Sequence, residues 1–178
     1  MSIKLHFRPI PPADSIRDNR AHREESVVES LIHDAFGPDA RRDHTPEGAP
    51  FIPGRQDMYI SLSHSQEMCV LAVSDAPVGV DVETQRPQLA RVAARFMSAT
   101  EMEHISHPAD SHEYLHELLL HWTAKEAVYK LLHTPGLPLD SIILSPDHDR
   151  ATAAGRTCII SYRHLSPTST VAIATFGG

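Results

Sequence analysis

The sequence predicts an α+β fold, and three observations predict it. Strand-like and helix-like segments come in runs rather than strict alternation, two strand-like runs are separated by a short turn, and two more close the chain after a helical block. The segment 3–7, IKLHF, alternates apolar and polar residues as a strand does, and the prolines at 9, 11 and 12 end it. From residue 19 to 36, Val27, Val28, Leu31, Ile32 and Ala35 recur at helical spacing, and Gly37-Pro38 stops the helix. Residues 38–57 are loop-like, with a short strand around Phe51. YISLS and MCVLAV read as a hairpin, and VGVDVE as a third strand whose preceding turn predicts continued antiparallel pairing in a meander. Residues 89–96 form a short helix, and Ser98, with Glu101 three positions on, opens another over 98–105. A long helix follows over 111–133, and TCIISYRH and TVAIATF are the closing strands.

A chain of 178 residues suits one compact domain or two small subdomains sharing a core. No apolar run approaches the ~20 residues a membrane helix needs, and the first residues lack a secretory apolar core, so a cytoplasmic protein with no membrane association is expected. The net charge of −7 argues against nucleic acid as a partner. Arg17, Arg20, Arg23, Arg41 and Arg42 nevertheless gather in the first quarter, where they could meet a phosphate-rich ligand or form a solvated face. Cys69 and Cys158 each sit in an apolar run and read as buried thiols.

In VGVDVE the valines share one strand face, which leaves Asp81 and Glu83 on the other. Two carboxylates so placed either line a solvated face or await a hard cation such as Mg²⁺. On the long helix the stripe Leu115, Leu118, Leu119, Trp122 continues into Glu126 and then Lys130. A carboxylate there is paired with Lys130 at the core rim or binds metal.

The order Ser61-Leu-Ser63-His64-Ser65, Gly79-Val-Asp81-Val-Glu83, Phe96-Met-Ser98-Ala-Thr-Glu101, Trp122-Thr-Ala-Lys125-Glu126-Ala-Val-Tyr-Lys130 resembles the 4'-phosphopantetheinyl transferase superfamily, and Arg86-Pro87 is similar to the usual sequel of the acidic strand. The resemblance implies transfer of the phosphopantetheine arm of coenzyme A to a serine of an apo acyl or peptidyl carrier protein. It implies Mg²⁺, with Mn²⁺ accepted by the same donors, on Asp81, Glu83 and Glu126. Lys130 and Glu126 would act catalytically, with Glu101 as general base for the carrier serine. Ser63, His64, Lys125 and Lys130 would contact coenzyme A, with Arg20 or Arg23 toward its 3'-phosphate, and Trp122 would support the site by packing.

It further implies two similar α/β subdomains in a pseudo-dimer, each a small antiparallel sheet packed with a long helix. Residues 1–76 would form the nucleotide side and 77–178 the metal and catalytic side, and the chain would act as a monomer. Carrier docking is expected near Arg86, Arg91 and Arg95. One departure stands out: the family's Gly-Lys-Pro segment reads Gly48-Ala49-Pro50, and a lost ammonium there would weaken cofactor binding by ~1–3 kcal/mol.

Two other readings compete. One is a coenzyme A or carrier-binding module without turnover, supported by Ala49 and the short first half. The other is a zinc metallopeptidase, because His112-Glu113-Tyr114-Leu115-His116 matches H-E-x-x-H on a helix. No convincing third ligand follows at the expected spacing, and 13 histidines make a chance match easier.

Overall fold

The computed structural model describes residues 1–13, 19–109 and 111–177, so Arg17 lies outside the described residues. In the first half, β1 (Ile3–Pro9), β4 (Tyr59–His64) and β5 (Met68–Ser74) form an antiparallel sheet in the order β1-β5-β4. Helix α1 (Arg20–Phe36) begins where the Asn19 side chain accepts a hydrogen bond from the Ala21 N–H. It ends at Gly37, whose φ of +100° is open to glycine and costly for other residues. Its face of Val27, Val28, Leu31 and Ile32 packs on Ile60, Cys69, Leu71 and Val73. The alternate residues of β5, Val70 and Ala72, point the other way into a second core, which explains its unbroken apolar run. A small hairpin of β2 (Asp43–His44) and β3 (Pro50–Phe51) links α1 to β4.

The second half repeats the plan on a larger scale. Its sheet runs β6-β10-β9-β8-β7, from β6 (Val78–Thr84), β10 (Ser169–Phe176), β9 (Arg156–Ser166), β8 (Arg150–Ala153) and β7 (Ile143–Leu144). Helix α4 (His112–Leu132) lies across it, capped by Ser111 and terminated at His133 in the left-handed conformation. Ala124, Ala127, Val128 and Leu131 face the sheet, while Leu118 and Leu119 meet Leu89, Ala93, Phe96 and Met97 from α2 (Gln88–Val92) and the turn after it. The short α3 (Ala99–His104) carries the expected capping box of Ser98 and Glu101. The fold is α+β, built from two helix-covered antiparallel sheets whose uncovered faces meet through Val70, Ala72, Val78, Val80, Val82, Val171 and Ile173.

The meander expected from the Pro77 turn does not form. β6 leaves the first sheet and pairs with β10, the closing strand of the chain. β7 and β8 escape sequence reading because they are too short for an alternation to register. Gly79 lets α4 sit directly on β6. A Cβ there would lie 2.0 Å from the Ala127 carbonyl oxygen and 2.7 Å from the Leu131 nitrogen.

Candidate active site

The edges β4 and β6 face each other without a backbone ladder between them. Serine hydroxyls join them instead. Ser61 Oγ accepts from the Val80 N–H at 2.9 Å, and Ser63 Oγ accepts from the Val82 N–H at 3.2 Å. Ser63 then donates to Asp81 Oδ1 at 2.6 Å. Its single proton is thereby committed, so this serine positions Asp81 and leaves no donor for a phosphate. Ser61, which motif reading named without a task, is likewise a positioning residue.

Asp81 is buried, and the same Oδ1 accepts from Lys130 Nζ at 2.8 Å. Lys130 also donates to the Val80 carbonyl at 3.2 Å, so two bonds from strand β6 hold the ammonium. Glu83 accepts from its neighbour's Thr84 N–H at 2.9 Å and from Arg86 Nη2 at 2.8 Å. Arg86 is therefore occupied at the site and is not a free docking cation. Glu126 accepts no hydrogen bond among the described residues. Burial pushes the Glu126 carboxyl up, reinforced by Asp81 and Glu83 and opposed by Lys130. Burial pushes Glu83 up as well, against the Thr84 N–H and Arg86.

Three carboxylates facing Lys130 and Arg86 leave a negative charge that the protein does not balance. An all-oxygen donor set with that surplus fits a hard divalent cation. A carboxyl whose folded-state pKa is raised gives full stability below its ordinary value, and loses it as pH rises through the raised one. Near neutrality Glu126 therefore works against folding until a cation is present. We expect Glu126→Gln to raise the Tm of chelator-treated protein at pH 7 and to shrink the Tm rise produced by Mg²⁺. Unchanged Tm in both conditions would remove Glu126 from the cation site.

Glu101 and Lys125 lie elsewhere. Lys125 is fully buried and donates to Glu101 Oε2 at 2.6 Å and to the Phe96 carbonyl at 2.7 Å. Glu101 also accepts from the Ser98 N–H at 2.8 Å and the Leu144 N–H at 3.0 Å. Burial alone would raise its carboxyl, but contacts with His121, Lys125, Leu144 and Ser98 outweigh it and hold it well below the usual carboxylate range. A carboxylate so saturated is a poor proton acceptor. Glu101 and Lys125, expected as general base and phosphate ligand, are bonded to each other here. The pair instead joins α3, α4 and β7. Trp122 packs edge-on to Phe96 with ring centroids 5.1 Å apart, a supporting place like the one expected for it.

A cleft of about 510 Å³ opens between the halves, lined by α1, the β2–β3 turn, the end of β4 and the last turn of α4. Ser63, His64 and Lys130 reach it, as does Arg42, which the sequence placed in an arginine cluster without singling it out. Arg20 and Arg23 are not among its lining residues. Arg42 forks onto both Glu25 oxygens at 2.7 and 2.9 Å, and Arg20 pairs with Glu24 and the Ser65 carbonyl. His64 lies 3.5 Å from Glu24. Gly48 and Pro50 line the cleft, while Ala49 faces a second cavity beside Phe51, Met58 and Leu131.

The H-E-x-x-H histidines do not converge with a third ligand among the described residues. His116 instead approaches His164, with ring centroids 5.9 Å apart. Cys69 and Cys158 are buried free thiols, and burial pushes both up, Cys69 to about 11. No helix among the described residues is long and apolar enough to cross a membrane.

The sequence model of the 4'-phosphopantetheinyl transferase superfamily matches residues 77–174. A Bacillus subtilis protein named 4'-phosphopantetheinyl transferase is 37% identical over 97 residues, covering 53% of this chain and 42% of that protein. The Bacillus pumilus 4'-phosphopantetheinyl transferase psf-1 is 30% identical over 168 residues, covering 85% of this chain and 68% of its own length. The Sfp transferase of Bacillus subtilis strain 168 is 32% identical over 97 residues, 53% of this chain and 42% of its own. The matched stretch thus spans less than half of the first and last of these relatives.

Proposed function

The chain belongs to the 4'-phosphopantetheinyl transferase superfamily, and from that premise we propose that it moves the phosphopantetheine arm of coenzyme A onto a serine of an apo carrier protein. One observation carries this reading: Lys130 binds Asp81 at 2.8 Å and reaches the cleft, with Glu83 and Glu126 close enough to feel the charges of both. The cleft has the size of a small-molecule site, with the lysine and Arg42 as its cations. In the transfer, the carrier serine Oγ bonds to the β-phosphorus of coenzyme A, and the bond from that phosphorus to the bridging oxygen breaks, releasing 3',5'-ADP.

Asp81, Glu83 and Glu126 would hold Mg²⁺, which when bound neutralises diphosphate charge. Lys130 places an ammonium against the oxygen that leaves with 3',5'-ADP. The serine proton passes to a carboxylate. The nucleotide side is assigned to residues 1–76 and the catalytic side to 77–178. Both halves wall the cleft, so a single chain suffices and we propose action as a monomer.

The test is incubation with coenzyme A, Mg²⁺ and a panel of apo acyl and peptidyl carriers, read by intact mass. A phosphopantetheine mass gain that chelator removes is the expected result. Tight coenzyme A binding with no gain on any carrier would favour a binding module without turnover.

A further inference from the structure

One turn beyond the H-E-x-x-H match, a different set of side chains converges. Glu117 and His121 stand at i and i+4 on α4, and His148 reaches them from the turn between β7 and β8. The ligand atoms of the three lie within 4.8 Å of one another. His148 Nε2 is 3.0 Å from Glu117 Oε1, and His121 Nε2 is 3.8 Å from the same oxygen. Ligands of a tetrahedral zinc ion at ordinary bond lengths stand about 3.3 Å apart, and these two separations bracket that value.

His121 is only 4% exposed, yet its Nδ1 has no hydrogen-bond partner among the described residues. Its Nδ1 lies 3.5 Å from Glu101 Oε1 without hydrogen-bond geometry. An imidazole buried in this way is costly unless its ring nitrogens find partners. A metal ion on Nε2 provides one, and it would draw Nδ1–H onto Glu101 as the outer carboxylate that commonly orients a metal-bound histidine.

The arrangement is pre-built. His148 sits at φ +55° in a turn where its N–H donates to the Ser145 carbonyl at 2.9 Å and Ser145 Oγ donates to Asp149 at 2.9 Å. The strand beside that turn is docked to the same Glu101 through the Leu144 N–H. Glu117 and His148 are partly exposed, which leaves a path for an ion and room for a water in the fourth position.

We propose that Glu117, His121 and His148 form a second metal site, for Zn²⁺ or a similar borderline transition-metal ion, separate from the Asp81 carboxylates. Two imidazoles and one carboxylate select such an ion over Mg²⁺, which prefers oxygen donors. Its effect would be to staple the β7–β8 turn to α4.

The experiment uses tag-free full chain, stripped with chelator and dialysed against Zn²⁺ in millimolar Mg²⁺, with metal per chain measured by mass spectrometry. Co²⁺ is then titrated and its visible absorption followed. One Zn²⁺ per chain, a raised Tm and a tetrahedral Co²⁺ spectrum are expected. His148→Ala, at a turn tip, should weaken binding at least ~100-fold, and Glu117→Gln should weaken it measurably. His112→Ala and Asp81→Asn should leave it unchanged. No retained Zn²⁺, or equal retention by His148→Ala, would overturn the site and reduce the cluster to a histidine–carboxylate pair. Because none of these readouts is activity, failure here leaves the transferase reading untouched.

Discussion

Asp81→Asn is expected to lower phosphopantetheine transfer by about 10³-fold or more while the protein stays folded. The substitution keeps size and shape, so Ser63 can still donate to the side-chain oxygen and the contact between β4 and β6 survives. What disappears is the charge. Lys130 is left with a neutral amide oxygen and the Val80 carbonyl, and the cation site loses its most buried anionic donor. Both changes fall on groups assigned to the transition state, so kcat should drop more than KM for coenzyme A rises. Mass-resolved initial rates on a responsive carrier, with Tm as the folding control, read this directly. Activity within tenfold of wild type would place the metal and the chemistry elsewhere.

Gly79→Ala is expected to produce the largest loss of stability of any glycine-to-alanine change among the described residues. The added carbon would stand 2.0 Å from the Ala127 carbonyl oxygen and 2.7 Å from the Leu131 nitrogen, both backbone atoms of α4. No rotamer change can relieve a clash with backbone, so α4 must move off β6. Overpacking of this kind costs about 3 kcal/mol or more, a fall in Tm of roughly 6–12 °C for a chain of this size. The displaced helix carries Glu126 and Lys130, so any folded fraction should also lose transfer activity. Thermal melts and rates together test this. A melt within 2 °C of wild type would show that the close approach is not needed.

Much of this was legible in the residues, for identifiable reasons. Caps and periodicity are local, so α1 and α4 end within a residue of expectation: Asn19, Gly37 and Ser111 carry the signal in their own chemistry. The acidic strand and the Glu126–Lys130 step were legible because strand and helix periods fix which side chains share a face. Pairing between distant segments has no local signal, which is why β6 was expected beside β5 and is found beside β10. The pairing of Glu101 with Lys125 was hidden for a related reason. Motif order names a lysine and a glutamate, but only packing reveals that they are spent on each other. His148 lies 27 positions from His121, and nothing in that separation suggests contact.

The hydroxyls of Ser61 and Ser63 carry one more consequence. An unpaired strand edge is an open template on which another chain can add a strand and begin to aggregate. Here β4 and β6 turn two such edges toward each other, and the serines occupy the N–H groups of Val80 and Val82 that a foreign strand would seek. The fold thereby hides its two most central edges from neighbouring molecules. Replacing these serines would expose a sticky seam as well as disturb Asp81, so loss of solubility would accompany loss of function.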